Sequence, residues 1–401
     1  MIAAGRELAA ARTIETRSPF VRLAELVAAV KPAMPVINLS VGEPQHPIPA
    51  FVAPILATHV NDFGRYPAGK GTECLRRAAA DWLHRRYQLE RAPDPDAEVL
   101  ALNGTREGLF LAAIAARRFV EARAGRPAIL VPNPFYAAYA AGAAAADCET
   151  VFLPATKTTG FLPDLDALGD DLLARTVAIY MASPANPQGA VADKTYLARL
   201  AALARRFGFM VFSDECYSEI YFGQAPAGML DAAGPDFANV VVFQSLSKRS
   251  NLPGLRVGFV AGDRRFLAKF LDLRNVAAPQ VPMPLQEVAA AAYADESHVQ
   301  ENRRLYARKF DLADQIIGDR YGYRRPAGGF FLWLDVAALG GSEAATVKLW
   351  RDAGVRVLPG RYIARDQVDG HNPGANYIRV AMVQDNATTA EALHRLVAVL
   401  G

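Results

Sequence analysis

SLSKRSNLPGLRVG, residues Ser245 to Gly258, sets one lysine, three serines and two arginines within fourteen positions. Val240 to Phe243 ahead of it reads as a buried strand, and Val257 to Val260 at its end reads as another. Between them, Asn251, Pro253 and Gly254 favour a turn. Lys248 is therefore expected on an irregular segment just past a strand end, where open α/β sheets hold their ligands.

A lysine beside buried strands loses hydration, which disfavours the ammonium form and lowers its pKa toward that of a usable nucleophile. Such an amine can condense with an aldehyde. Arg256, eight positions on, offers a planar fork suited to phosphate, and Ser245, Ser247 and Ser250 offer hydroxyl donors. An amine beside a phosphate clamp points to pyridoxal 5′-phosphate (PLP) as cofactor. Taken by itself, the segment also reads as a solvated basic turn.

The pattern S-x-S-K-x-x-x-x-P-G-x-R-x-G resembles the lysine signature of class I/II, fold-type-I, PLP-dependent aminotransferases. The fuller SLSKRSNLPGLR is most similar to the N-succinyl-diaminopimelate aminotransferase branch, and the resemblance runs nearly end to end. It implies an α/β fold with a mostly parallel central sheet sandwiched by helices in a large PLP-binding domain, residues 46–285. A smaller α/β domain is expected from both termini, residues 1–45 and 286–401. It also implies amino-group transfer between an amino acid, glutamate by resemblance, and a keto acid, N-succinyl-2-amino-6-ketopimelate. The segment RNVAAPQVPMPLQ departs from that branch, so an aspartate, alanine or broad-range aminotransferase stays open as an alternative. A PLP-dependent C–S lyase would share every cofactor residue.

Several strand-to-loop junctions supply the remaining candidates. Val99 to Leu102 reads as a strand, followed by Asn103-Gly104-Thr105-Arg106-Glu107 and a helical pattern from Gly108 to about Ala122. A helix start of that kind attracts an anion, and the resemblance assigns the cofactor phosphate to Gly104, Thr105 and Arg106, with Arg256 and the Ser245 and Ser247 hydroxyls opposite. Ile129 to Val131 is a strand ending in PNPFYAAY. There Tyr136 matches the aromatic that stacks on the pyridine ring, with Phe135 and Tyr139 as alternatives. Val177 to Met181 leads into SPANPQG, where Asn186 matches the asparagine that binds the cofactor's phenolic oxygen and lies near substrate.

Thr195 to Phe207 carries a helical stripe and Phe209 to Ser213 returns as a strand, the signature of parallel βαβ units. Immediately after come Asp214-Glu215-Cys216-Tyr217. A carboxylate at a buried strand end needs a partner. By resemblance Asp214 faces the protonated pyridine nitrogen and Tyr217 donates to the phenolic oxygen, so Lys248, Asp214 and Tyr217 form the catalytic set. The other reading of Asp214 is a helix cap.

Gly42 in SVGEPQHPIP lets a ligand approach the backbone, or else the segment is a proline-rich linker; by resemblance Gly42 lies beside the substrate carboxylate. Arg379 in NPGANYIRVAMV sits in an otherwise apolar strand. An unpaired guanidinium is costly there, so it clamps a substrate carboxylate or pairs with a nearby Asp. Tyr66 in GRYPAGKGTECLR either packs at a surface or, by resemblance, reaches the cofactor phosphate of a second subunit, which implies a homodimer. Beyond the lysine segment, helices are expected near Phe266 to Arg274, from Leu285 to about Ile317 with a break near Asp295, and over Ala344 to Asp352, with a strand at Phe330 to Leu334.

Bulk composition narrows the field. With 401 residues, 52% of them hydrophobic, the chain can bury a large core, and a net charge of +3 gives no polyanion-binding footprint. Nucleic acid is not an expected partner. Cys74, Cys148 and Cys216 are odd in number and widely spaced, which reads as reduced core thiols, and the six histidines show no metal-ligand spacing, so no metal is expected. Arg6, Glu7, Arg12, Glu15 and Arg17 interrupt any apolar leader, and no uncharged run is long enough to span a membrane. A cytoplasmic enzyme is the expectation.

Overall fold

A computed structural model describes residues 17–121, 123 and 125–401. Arg6, Glu7, Arg12 and Glu15, and the expected helix end at Ala122, lie outside these residues. The first strand is β1 (Ile37–Asn38), and the next seven build the large sheet. They are β2 (Val99–Leu102), β3 (Ala128–Asn133), β4 (Glu149–Pro154), β5 (Thr176–Ala182), β6 (Met210–Asp214), β7 (Val240–Ser245) and β8 (Gly258–Gly262). Their order is β2-β8-β7-β6-β5-β3-β4. Only β8 runs against its neighbours, so β2, β3, β5, β6 and β7 all end at one edge. The register sets Ala182 beside Asp214 and Asp214 beside Phe243 there.

The inner strands are short apolar runs because helices cover both faces. Val240, Val242, Val211 and Ile179 point to the side covered by helices Glu73–Tyr87, Lys194–Phe207 and Met283–Ala294. Val241, Phe243, Phe212 and Tyr180 point to the side covered by Thr105–Phe119, Ala137–Ala145 and Arg264–Ala277. Helix Lys194–Phe207 starts where the Asp193 side chain accepts from the Tyr196 N–H at 2.7 Å, and it stops at Gly208, whose φ of 71° suits a glycine C-cap.

Glycine and alanine let helices Thr105–Phe119 and Ala137–Ala145 approach closely. A Cβ on Gly142 would lie 2.8 Å from the Phe110 carbonyl oxygen on the neighbouring helix.

A smaller body is built from β9 (Phe331–Asp335), β10 (Val355–Arg356), β11 (Leu358–Pro359) and β12 (Tyr377–Ala381), with β1 parallel to β10 and β12 between β11 and β9. Its core joins Ile37 and Leu39 to Leu332, Leu334, Val380, Leu349 and Leu393, so segments from before and after the large sheet meet there. Helix Met283–Ala294 buries Val288, Ala289, Ala292 and Tyr293 in the core of the large sheet. That helix spans the expected division at residues 285/286, and the chain turns at Asp295 into helix Ser297–Ile316.

The cysteines depart from the expected core role. Cys148 is buried, but Cys74 is exposed on helix Glu73–Tyr87 and Cys216 is half-buried at the edge of a cavity. Among the described residues no helix is long and apolar enough to cross a membrane.

Candidate active site

Five strand ends deliver the candidate side chains to one cavity of about 1170 Å³ between the two bodies. Lys248 does not sit on irregular chain: β7 runs straight into a single helical turn, Leu246–Arg249, capped where Ser245 Oγ accepts from the Ser247 N–H at 3.2 Å. The Lys248 amine donates to the Gly42 carbonyl and lies 5.4 Å from the Phe330 ring centre. Burial lowers its pKa from 10.5 to about 8; Cys216 and Glu43 oppose the shift while Arg379 and Arg256 add to it.

Opposite the turn, helix Thr105–Phe119 starts at Gly104, with φ of 75°. A Cβ on Gly104 would stand 2.1 Å from Arg256 Nη2, so only glycine leaves the gap between helix start and guanidinium open. Arg256 itself takes a left-handed φ of 58°, a strain of about 1 kcal/mol or more that the surroundings must hold. Ser245 Oγ donates to Ser247 Oγ at 3.0 Å, which leaves the Ser247 proton for the cavity. Free N–H groups, a guanidinium and a hydroxyl around an open gap suit an anion. Arg106 enters differently from expectation: its Nε donates to Tyr136 OH at 2.6 Å, leaving its main-chain N–H for the gap.

Asp214 ends β6 at the floor of the cavity. Its Oδ2 accepts from Tyr139 OH at 2.6 Å and its Oδ1 from the Cys216 N–H at 3.2 Å, and no cation pairs with it among the described residues. Each oxygen keeps acceptor capacity for a cationic N–H. Of the three aromatics after β3, Tyr139 is buried and stacked on Tyr180, and Phe135 is buried against Phe152. Tyr136 alone is half-buried on the cavity wall. Cys216 Sγ lies 3.2 Å from Thr105 Oγ1, linking the segment after β6 to the helix start. Tyr139, an alternative for the ring-stacking aromatic, thus holds Asp214 instead, and Cys216 has a contact at the site that nothing in its sequence context announced.

Arg379, on β12, points into the cavity from the smaller body. It donates to Asn186 Oδ1 at 3.2 Å and to the Ser40 carbonyl at 2.8 Å, lies over the Phe331 ring, and keeps a buried Nε without a partner. No carboxylate pairs with it among the described residues, and burial lowers its pKa to about 10. A bound anion is what this arrangement lacks. Tyr217 packs edge-on against Phe330 and Phe331, and burial raises its pKa well above the phenol value. Gly42 is required because a Cβ there would be 2.6 Å from the Phe331 ring.

One candidate lies elsewhere. Tyr66 is 99% exposed and does not line this cavity. His46, near Gly42 in sequence, has both ring nitrogens engaged by Asn302 and Lys309.

Residues 34–396 match the family described as aminotransferase class I and II. The chain is 32% identical over 395 residues to an LL-diaminopimelate aminotransferase of Desulforudis audaxviator, covering 95% of each. It superposes on a crystal structure of an aminotransferase from Neisseria meningitidis with a TM-score of 0.89 and 37% identity, covering 96% of this chain and 98% of that one. A probable N-succinyldiaminopimelate aminotransferase from Thermus thermophilus gives a TM-score of 0.81 at 25% identity, over 95% and 100% of the two chains. The chain therefore belongs to the class I and II aminotransferases, enzymes that use pyridoxal 5′-phosphate to pass amino groups between amino acids and keto acids.

Proposed function

We propose that this aminotransferase moves the amino group of glutamate to N-succinyl-2-amino-6-ketopimelate. The observation that carries the reading is the buried, uncompensated Arg379 guanidinium facing Lys248 across a cavity of about 1170 Å³, room for a substrate much longer than alanine. The gap kept open by Gly104 beside Arg256 fits a phosphate, and Asp214, without a cation of its own, fits a protonated ring nitrogen. Pyridoxal 5′-phosphate, when bound, supplies the electron sink and carries the amino group between the two half-reactions.

The chain's own residues do the rest. Lys248, its pKa lowered to about 8, is both the tether for the cofactor and the base that takes the proton from the donor's Cα and gives one to the acceptor's Cα in the second half-reaction. Gly104, Thr105, the Arg106 N–H, Ser245, Ser247 and Arg256 hold the phosphate. Tyr136 would lie against the ring, and Tyr217 and the Asn186 amide would donate to its oxygen. Arg379 clamps the α-carboxylate, Asn186 orients that clamp, and Gly42 leaves room beside it.

A second reading is LL-diaminopimelate itself, favoured by the 32% identical relative. The two differ at the far end, a succinyl carboxylate against an ammonium. Arg106 and Arg365 on the cavity wall, against Glu43, support the anionic end; Arg17 and Glu107 there pair with Glu25 and Arg274. The test supplies 2-oxoglutarate as acceptor and compares N-succinyl-LL-diaminopimelate, LL-diaminopimelate, aspartate and alanine as donors by glutamate formed. The highest kcat/KM is expected for the succinylated donor; a higher value for any of the others removes the reading.

The homodimer belongs to the same proposal. Tyr66 and Val276 are 99% and 90% exposed, and Phe63 and Val60 also face solvent. Gly69 packs against Asn275, so the Tyr66 loop and helix Arg264–Ala277 present one apolar face that a second copy can cover, bringing Tyr66 to its phosphate site.

A further inference from the structure

We propose that Lys309, His46 and Asn302 form a positioning chain that holds the turn bearing Lys248 from behind. Lys309, on helix Ser297–Ile316, is 1% exposed and donates through Nζ to His46 Nε2 at 2.7 Å and to the Val383 carbonyl at 3.2 Å. An ammonium only donates, so His46 Nε2 accepts and the ring proton lies on Nδ1. Nδ1–H then donates to Asn302 Oδ1 at 2.6 Å. The Asn302 amide nitrogen is thereby turned to the main-chain carbonyls of Lys248, at 3.1 Å, and Arg249, at 3.3 Å. Each link has a single polarity, so the order of donors runs from Lys309 to the backbone of Lys248.

The chain ties together parts that lie far apart in sequence. Val383 follows β12 in the smaller body, Asn302 and Lys309 lie on the linking helix, and His46 ends the loop whose Gly42 carbonyl receives the Lys248 amine. One loop therefore grips Lys248 twice, by its side chain directly and by its main chain through His46 and Asn302. Tyr306 completes the seat, tilted against the His46 ring at 4.5 Å and stacked on Phe330.

Both hydrogen-bond acceptors of Lys309 are uncharged; Asp385 near Lys309 and Glu301 near His46 act only through their fields, and Glu43 lies on the same loop. A charge kept buried without a contacting counterion is costly, which a role in packing alone does not require. Burial lowers the pKa of His46 and brings that of Lys309 to about 8. Protonating His46 would set an Nε2–H against the ammonium and break the chain.

This inference rests on the catalytic role proposed for Lys248, and its test is read first on cofactor-free protein. The pH dependence of Lys248 acetylation, followed by peptide mapping, reports how dry the amine is. Asn302→Ala and Lys309→Met should let water reach the turn and raise the half-modification pH by roughly half a unit or more. In the loaded enzymes kcat should fall about tenfold or more, with KM for glutamate changed by no more than about twofold. Lys309→Arg, which keeps a donor, should restore both.

Should Asn302→Ala not fold, Asn302→Asp keeps the volume, sets a carboxylate against two carbonyls, and is expected to give the same shift. Variants that fold, even with a lower melting temperature, yet keep the wild-type acetylation curve and kcat would overturn the inference. A Lys248→Ala enzyme that still turns over would defeat the role of Lys248 instead, and would leave the acetylation result standing, so the two failures can be told apart.

Discussion

Arg379 lies with its guanidinium carbon 4.4 Å from the centre of the Phe331 ring, and that ring is also what keeps position 42 a glycine. Phe331 thus borders both the cation and the loop beside it. The guanidinium meets an aromatic face, an amide oxygen and a carbonyl, all of them uncharged. Stability is given up there for a ready-made anion site.

Replacing Arg379 should therefore split stability from activity. Arg379→Met removes a buried cation whose only contacts are neutral, and the melting temperature of cofactor-free protein should hold or rise. The same change should raise KM for glutamate roughly ten- to hundredfold, the range that 1.5 to 3 kcal/mol of charge-assisted bonding corresponds to. Steady-state kinetics and thermal unfolding of one preparation decide it. An unchanged KM removes Arg379 from substrate binding.

Gly104→Ala tests the phosphate site. The new methyl would stand 2.1 Å from Arg256 Nη2 at a φ of 75°, so the guanidinium must move away. Affinity for pyridoxal 5′-phosphate should fall about tenfold or more as one charge-assisted contact is lost. Equilibrium dialysis measures it, and wild-type affinity would place the phosphate elsewhere.

Much of this arrangement can be read from the sequence because each strand end carries its own chemistry. Val99 to Leu102 is a four-residue apolar run closed by Asn103-Gly104, and it is a strand over those same residues. The runs before Asn186, Asp214 and Lys248 are buried on both faces, so they stand out as uninterrupted apolar segments. β4 does not, because Glu149–Pro154 is the last strand of the sheet and half-exposed, with polar residues mixed in. Helix Val52–His59 is likewise masked by Pro54 and by the lack of a capping side chain.

In the site itself, Lys248, Asp214 and Arg379 could be singled out because a charge in an apolar setting needs a reason. What Asn302 does for the Lys248 backbone could not be singled out. The two residues are 54 positions apart, and the contact follows from tertiary packing rather than from any local period. Cys216 is hard to place for a related reason: its sequence context does not say which way a half-buried thiol faces.

The buried amine of Lys248 should leave a mark on stability. Its pKa in the folded cofactor-free protein is about 8, against roughly 10.4 in an unfolded chain. Between those values the unfolded state binds more protons, so this group's contribution to stability rises with pH across that window, and its full burial cost is present below pH 8. Burial raises the pKa of the thiols, which act in the opposite sense, so the readable quantity is a difference between two proteins. Cofactor-free Lys248→Met should have a higher urea midpoint than wild type below pH 8, an advantage that shrinks as pH rises above it. A difference that does not vary with pH would mean the amine is not desolvated.

The exposed ring of Tyr66 makes a prediction about shared sites. If Tyr66 serves the phosphate site of a second copy, each site of a two-fold dimer needs Lys248 from one chain and Tyr66 from the other. Lys248→Ala lacks the amine in both sites, and Tyr66→Ala lacks the borrowed hydroxyl in both. A mixed dimer of the two has one site damaged twice and one site intact, because the chain that keeps Lys248 receives Tyr66 from the partner that keeps it. Unfolding and refolding the two variants together should therefore produce more activity than either gives refolded alone, while each alone should migrate as a dimer in sedimentation. A mixture no more active than the sum of its parts, or a monomer in sedimentation, would confine Tyr66 to its own chain's surface.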